Sequence, residues 1–446
     1  MGLDPTFERW LSDEGVTFDR TAIEFVRRRR RRRHPNDARA FHNDEDDEDD
    51  DDTKVVAKRA LKDGEKVVEI PLEACFAYEQ SLLRERVLTT TTRNKNGKEN
   101  EAKTNNEKWK KMTRALHEDS DWLSQLAMAL CFERFLESTS RFGPYLKTLN
   151  ERERHAMCNW EEKEKNALLE GTDIGLNYVR DECANAKEEY ERFRAALPAG
   201  ADEEHFSSFF TFDRYRASRS VCSSRAFQIT PGKIGLMPLA DLFNHKSLKN
   251  DVAVCEGDRA ETVAVAAVKS VPKGSEVFNT YGVLSNTDLL NSYGFCDGDA
   301  IDIESTAPRI TTLSVRQLWL IMNKTGGCNK LPDAFREDDD THTIEEVTRL
   351  LRPGREDVLR SIFLHRLKMY PNPSAFERAC EEYLLAGEGE TDTEERMLLK
   401  KERVELARTC RQSEMRCFER AIEAIGTQTV STQECGQEDT MFSVFA

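Results

Sequence analysis

Apolar positions along this chain follow two periods, and the points where the period changes divide it into segments. Phe7, Trp10 and Leu11 share helical spacing, after which Val16, Phe18 and the apolar run at 23–26 read as strand. Val55, Val56 and Ala57, then Leu61 with Asp63-Gly64, then Val67, Val68 and Ile70 predict a strand, a tight turn and a returning strand. Asp-Gly between β-branched runs is a hairpin signal. The same order returns at 263–268, with Pro272, Lys273 and Gly274 as the turn and Val277 and Phe278 as the return. Two hairpins of one grammar imply small antiparallel sheets rather than alternating β-α-β units. Between them the period shifts toward 3.6. Trp122, Leu123, Leu126, Ala129, Leu130, Phe132 and Phe135 form an apolar stripe that Gly143-Pro144 is expected to close. A second helix is expected after Asn159-Trp160, stopping at Gly171.

Beyond residue 300 strand signals fade. Ser314 with Gln317 forms a capping box for a helix that Gly326-Gly327 closes, and Thr343 with Glu346 does the same for one stopped by Pro353-Gly354. A third helix, 358–370, is ended by Pro371 and Pro373. A long fourth, 394–425, carries Val404, Ala407, Cys410, Met415, Phe418, Ile422 and Ile425 on one side and is expected to end at Gly426. The fold class that follows is α+β, with small antiparallel sheets, a helical insert and an all-helical C-terminal lobe.

Composition changes this picture in two places. At 446 residues the chain has room for two or three domains, yet only 38% of it is apolar and 33% is charged. Seven arginines at 27–33 and nine acidic residues at 44–52 supply part of that excess, and such blocks repel themselves into an unstructured loop. The arginine run reads first as a low-complexity loop neutralised by the acidic block, and second as a nuclear-localisation or anion-binding patch. Residues 89–108 read as a polar surface insert. The net charge of −16 speaks against nucleic acid as a partner, and no apolar run approaches ~18 residues, so no membrane span is expected. The N-terminus lacks a hydrophobic signal region. Met1-Gly2 to Thr6 fits the bare myristoylation pattern, but Phe7, Trp10 and Leu11 claim the segment for a core helix. Twelve cysteines include no C-x-x-C pair, so they read as reduced thiols, with no cysteine-rich zinc module and no metal site.

The chemistry concentrates after residue 220. Pro238, Asp241, Asn244 and His245 form one compact run. Asn279-Thr280-Tyr281-Gly282 with Ser285-Asn286 follows, then Tyr293-Gly294-Phe295. In this order and spacing the pieces resemble the C-terminal half of a SET domain, which moves a methyl group from S-adenosylmethionine to a protein side chain. Ser224-Arg225 with Phe227 resembles the segment that precedes it. The likeness is to the branch that includes the Rubisco large-subunit lysine methyltransferase and its eukaryotic relatives, and Gly143-Pro144-Tyr145, Leu149, Trp160 and 169–172 resemble that branch's helical insert. The resemblance makes Tyr281 the catalytic tyrosine. It gives Arg225 the cofactor carboxylate, and Asn244 and His245 the adenine and amino-acid end of S-adenosylmethionine. Asp241 and Tyr293 would contact substrate, Tyr293 as wall of the lysine channel, and an aromatic at Phe227 favours lysine over histidine as acceptor.

That assignment is chemically coherent. A lysine amine near pKa ~10.4 must lose its proton before it can attack, and an uncharged phenol-lined channel favours the neutral form. Without the resemblance, Tyr281 and Tyr293 read as core tyrosines beside glycine turns, Asn244-His245 as a turn or cap, and Asp241 as a turn cap. One departure stands out. The branch carries a glycine-rich cofactor segment before its first hairpin, where this chain has Asp51, Asp52, Thr53 and Lys54. A second lies at Ile229, where the branch has a substrate arginine. The expected organisation is 1–85 as the first part of the SET domain with a disordered insert at 27–54, 86–210 as helical insert and 211–300 as the second part. Residues 301–426 form a helical substrate-binding domain and 427–446 a flexible tail. The expected activity is lysine methylation of a non-histone protein, with S-adenosylmethionine as co-substrate and no metal. The protein substrate is bound through the helical lobe by a monomer in cytoplasm or nucleus, the chloroplast being left open. An inactive SET scaffold and a protein-histidine methyltransferase are the alternatives.

Overall fold

The computed structural model describes residues 2–28, 52–92, 111–118, 120–176, 182–197, 201–247, 249–282, 284–297, 366–386 and 394–432, with single residues and pairs at 313–314, 341–342, 360 and 363–364. The arginine run beyond Arg28, the acidic run before Asp52, and the helices expected after Ser314 and Thr343 lie outside them. The chain divides into two compact units, Met1–Asn159 with Glu182–Val283, and Trp160–Asp181 with Leu284–Ala446.

The first unit opens on the helix Pro5–Asp13. Asp4 caps it by accepting from the Thr6 and Phe7 amides at 2.8 and 3.1 Å, and Pro5 stands where a missing N–H costs nothing. Phe7, Trp10 and Leu11 are its buried face. Strands β1 (Thr17–Phe18), β2 (Ile23–Arg28), β3 (Asp52–Ala57) and β4 (Lys66–Pro71) follow, then β5 (Phe76–Ala77). After the helices come β6 (Ala226–Thr230), β7 (Lys233–Leu236), β8 (Val252–Glu256) and β9 (Thr262–Ala267). They form three sheets, ordered β1-β4-β9-β8, β2-β3 and β5-β7-β6, each antiparallel.

The expected hairpins take a different form. Asp63-Gly64 and Lys273-Gly274 do turn the chain, with Gly64 and Gly274 at φ +77° and +82°. The strands flanking each turn, however, pair with the other segment instead of each other. Leu61 and Val271 exchange both backbone hydrogen bonds, at 2.9 and 3.1 Å. Gly64 donates to Ala267 at 2.8 Å and Gly274 to Ala57 at 2.7 Å. These contacts repeat at a constant offset between the two segments, so the like sequences meet as a pseudo-twofold pair. A hairpin would have left both sets of edges open, and mutual pairing satisfies them.

The helix Trp122–Leu136 is buried over most of its middle, from Leu123 to Glu133, but Glu137, at φ +47°, ends it. Gly143-Pro144 instead begins the short helix Gly143–Leu146, with proline in its first turn. Leu82–Thr92, Glu182–Ala196, Ala201–Phe209 and Phe212–Arg225 complete the helices of this unit.

The second unit collects Asn286–Tyr293, Pro373–Leu385, Glu394–Thr432 and the excursion helix Glu162–Leu168. Pro373 starts a helix rather than stopping one, because Asn372 caps it from the Ala375 amide at 2.9 Å. The last helix runs through Gly426 to Thr432; one interior glycine costs only ~1 kcal/mol. The lobe is not helical throughout, since Leu313–Ser314 pairs with Thr341–His342. Buried ion networks hold the excursion in place. Arg366 binds Asp173 at 2.6 Å and the Gly171 carbonyl, with Glu414 at 3.6 Å, while Glu414 accepts from Tyr370 at 2.6 Å and from Thr287. Burial pushes the Glu414 carboxyl up to about 7. Glu164 likewise binds Arg403 and, at 2.5 Å, Tyr383.

Candidate active site

The helix Phe212–Arg225, capped by Thr211, delivers Arg225 directly into β6. Its guanidinium donates from Nε to Glu153 at 2.9 Å and from Nη1 to the Asp241 carbonyl at 3.2 Å. Burial works against the charge, but Glu153 and then Asp241 outweigh it and keep the side chain cationic. Phe227, two residues on, pairs with Gly235 in β7 and packs partly buried against the core.

After β7 the chain bends at Leu239, a buried residue held at φ +68°. A non-glycine residue there costs ~1–3 kcal/mol and persists only where its surroundings impose it. The bend leads into the turn Ala240–Leu242 and leaves Asp241 only 7% exposed. Tyr145 donates its phenol to Asp241 Oδ2 at 2.8 Å, while Oδ1 has no partner among the described residues. Burial pushes the Asp241 carboxyl up to about 6, with the Arg225 charge and the Tyr145 hydroxyl pulling the other way. Behind it Tyr145 stacks on Phe7 and Trp10, with ring centroids at 6.0 and 5.8 Å.

Asn244 and His245 run parallel beside Asn279. The Asn279 amide donates to the Asn244 carbonyl at 2.8 Å and the Lys246 amide to the Asn279 carbonyl at 2.9 Å. This crossing places Tyr281 against His245, ring centroids 4.9 Å apart. His245 Nδ1 accepts from the Tyr281 amide at 3.0 Å and Nε2 lies 3.0 Å from Ser247 Oγ. The neutral ring therefore carries its proton on Nε2 and donates it to Ser247. The Tyr281 phenol donates to the Phe243 carbonyl at 3.1 Å. Asn244 donates from Nδ2 to Glu276 Oε1 at 2.8 Å, and the other oxygen of Glu276 takes Lys54 Nζ at 2.5 Å. Asn279 Nδ2 is a buried donor with no acceptor among the described residues.

Six of the seven residues singled out in the sequence thus lie in the first unit. His245 and Tyr281 are joined by a direct hydrogen bond, Asn244 is linked to them through the Asn279 backbone, and Arg225 is bonded to Asp241. Tyr293 ends the helix Asn286–Tyr293 of the second unit, where Gly294 at φ +79° stops the helix and the Phe295 ring lies 6.1 Å away. Burial raises its phenol pKa, aided by Asp288. Glu153 and Glu276 carry no local signal that marks them, and Tyr145 is marked only as part of the helical insert, since the partners that bring the three to the site are 72, 32 and 96 residues away.

A family model described as the SET domain matches residues 53–282, more than half of the chain. The chain belongs to the SET domain family. The N-lysine methyltransferase SETD6 of Homo sapiens is 29% identical over 222 residues, covering 47% of this chain and 45% of that protein. SETD6 of Bos taurus is 30% identical over 283 residues, covering 60% and 55%. The chain therefore spans about half the length of the curated relatives it matches. Among solved structures, Rubisco LSMT bound to AdoMet superposes with a TM-score of 0.52 at 15% identity, covering 97% of this chain and 94% of that one. The likeness of fold thus extends over both units of this SET protein, well beyond the span of sequence similarity.

Proposed function

We propose that the chain is an S-adenosylmethionine-dependent protein-lysine N-methyltransferase acting on a non-histone protein. The observation that carries this reading is the state of Tyr281. Its backbone is tied to His245 and its phenol proton is directed to the Phe243 carbonyl, so the ring is held in place and the phenol oxygen meets an incoming N–H as an acceptor rather than a donor. An amine held by one N–H keeps its own lone pair directed away from the phenol, toward the methyl group. S-adenosylmethionine would supply that methyl on a sulfonium centre. Asp241, ionised at neutral pH and with Oδ1 unpaired among the described residues, suits the recognition of an ammonium before it loses its proton. The chain's polar groups fit such a donor. Asn244 and Asn279 offer neutral amides that bind a purine or an amino-acid end without placing a cation beside a sulfonium, and the buried Nδ2 of Asn279 still lacks an acceptor among the described residues. Orientation of this kind supplies most of the rate in a simple displacement.

Tyr293 is assigned to the channel wall and Phe227 to acceptor choice, with the protein substrate docking on the helices of the second unit. We read the chain as a monomer of cytosol or nucleus with no nucleic-acid partner and no metal. One observation favours an inactive scaffold instead: Lys54, where relatives of this branch carry glycine, is tied through Glu276 to Asn244. Calorimetric titration with S-adenosylmethionine decides between the two, the scaffold giving no saturable heat. Transfer of a labelled methyl group to a protein extract, followed by hydrolysis to amino acids, should then yield methyllysine. Label recovered as methylhistidine overturns the choice of acceptor.

A further inference from the structure

Lys54, Glu276 and Asn244 form a continuous chain of polar contacts in which backbone pairing fixes the outer members. Lys54 sits on β3 opposite Val26, and Val56, two residues on, bridges Glu276 while the Val277 amide donates to the Val55 carbonyl at 2.8 Å. The Lys54–Glu276 pair is 2.5 Å long with side chains only 24% and 16% exposed, so it is not a solvated surface pair. Glu276 gives its other oxygen to Asn244 Nδ2. That bond fixes the Asn244 amide, with Nδ2 turned toward the carboxylate and Oδ1 turned away as an acceptor.

We propose that Lys54 and Glu276 form a charge clamp that sets the chain's preference between the cationic methyl donor and its neutral product. The inference rests on the reading of Asn244 as a donor-binding residue. S-adenosylmethionine and S-adenosylhomocysteine differ by one methyl group and one positive charge. A lone carboxylate one hydrogen bond from Asn244 attracts the sulfonium and is indifferent to the thioether. Lys54 cancels that carboxylate. With the clamp closed, product competes with donor on near-equal terms, and turnover follows the donor-to-product ratio. Lys54 and Glu276 act here as specificity-determining positioning residues, touching the donor site through Asn244.

The test is calorimetric titration of the full chain with each of the two compounds, at low and high salt. The wild type should bind both with affinities within about threefold of each other. Lys54→Met should raise the donor-to-product affinity ratio about fivefold, and added salt should shrink that gain. Glu276→Gln, which leaves Lys54 uncompensated, should lower the ratio by a similar factor. Lys54→Arg and the double variant Lys54→Met/Glu276→Gln should both restore the wild-type ratio. Because the two single variants are expected to move in opposite directions, either one carries the test if the other does not fold. Equal losses of both affinities, or a ratio unmoved in the variant that folds, overturn the clamp and leave the proposed function intact. A wild type that binds neither compound overturns both.

Discussion

Asp241→Asn isolates the electrostatic cost carried by this site. The carboxyl rises from 3.8 to about 6 on folding, and at ~1.36 kcal/mol per pH unit that corresponds to about 3 kcal/mol. The sign follows from proton affinity. The folded chain binds this proton more tightly than the unfolded chain, so its contribution to stability is greatest below pH 3.8. It is lost as pH rises to about 6, and stays lost above. An asparagine side chain is neutral throughout and can still accept from Tyr145. Its NH2 group stands where Oδ1 has no partner among the described residues, a cost of ~1–3 kcal/mol that does not vary with pH. The informative quantity is therefore the difference in unfolding free energy between wild type and variant, measured by urea titration followed by near-UV circular dichroism. Subtraction removes every other titrating group. The difference should fall by a little over 2 kcal/mol between pH 4 and pH 7, wild type losing ground, the rest of the about 3 kcal/mol lying below pH 4. A flat difference, or one that rises with pH, refutes the claim that burial governs this carboxyl. The same variant should lose about 10- to 100-fold in kcat/KM, the equivalent of one charge-assisted hydrogen bond, together with any acid limb near pH 6 in the rate profile.

Tyr281→Phe is expected to lower methyl transfer at least about a hundredfold, while titration with S-adenosylmethionine gives an affinity close to wild type; a collapse of affinity would make the phenol cofactor-facing. His245→Ala strands the Tyr281 amide without its acceptor, and should cost about 1–3 kcal/mol in urea unfolding along with most of the turnover. Arg366→Met leaves Asp173 and Glu414 without their cation and should destabilise the second unit by about 3–5 kcal/mol, read as an earlier thermal transition. Gly171→Ala adds a Cβ 2.7 Å from both the Met369 carbonyl oxygen and the Tyr370 Cα at a residue with φ +82°, and a melting point unchanged from wild type would contradict that geometry.

What the sequence makes legible is what a few neighbouring residues decide among themselves. The helix at Phe7, Trp10 and Leu11 needs only its own spacing and Asp4. The turns at Gly64 and Gly274 need only glycine at positive φ, and both occur where the sequence marks them. Whom a strand pairs with is a different question. β4 satisfies its edge with β9, nearly two hundred residues away, and the turn grammar at 61–65 is silent about that choice. Proline shows the same ambiguity at short range. Pro144 and Pro373 interrupt a pattern and so read as stops, but each stands in the first turn of a new helix, marked at Pro373 by the Asn372 cap and at Pro144 by no side-chain cap at all. Within the site, Asn244, His245 and Tyr281 are visible as a motif. Tyr145, Glu153 and Glu276 become part of it only when the chain folds back on itself.

The departure at Lys54 follows from where it lies in this architecture. β2 and β3 pair in register from Ile23 with Ala57 to Arg28 with Asp52, on either side of the charged segment 29–51. β3 is also held from its other side, where Val55 and Ala57 bond to Val277, Ser275 and Gly274. The strand is thus positioned from both sides without reference to what joins it to β2. A charged run there leaves the backbone of Lys54 where it is and changes only the side chain presented to Glu276. A glycine in that place would leave Glu276 a lone carboxylate beside Asn244. A lysine turns it into a neutral pair, so what the residue at this position changes is the charge balance beside Asn244 rather than the path of the backbone.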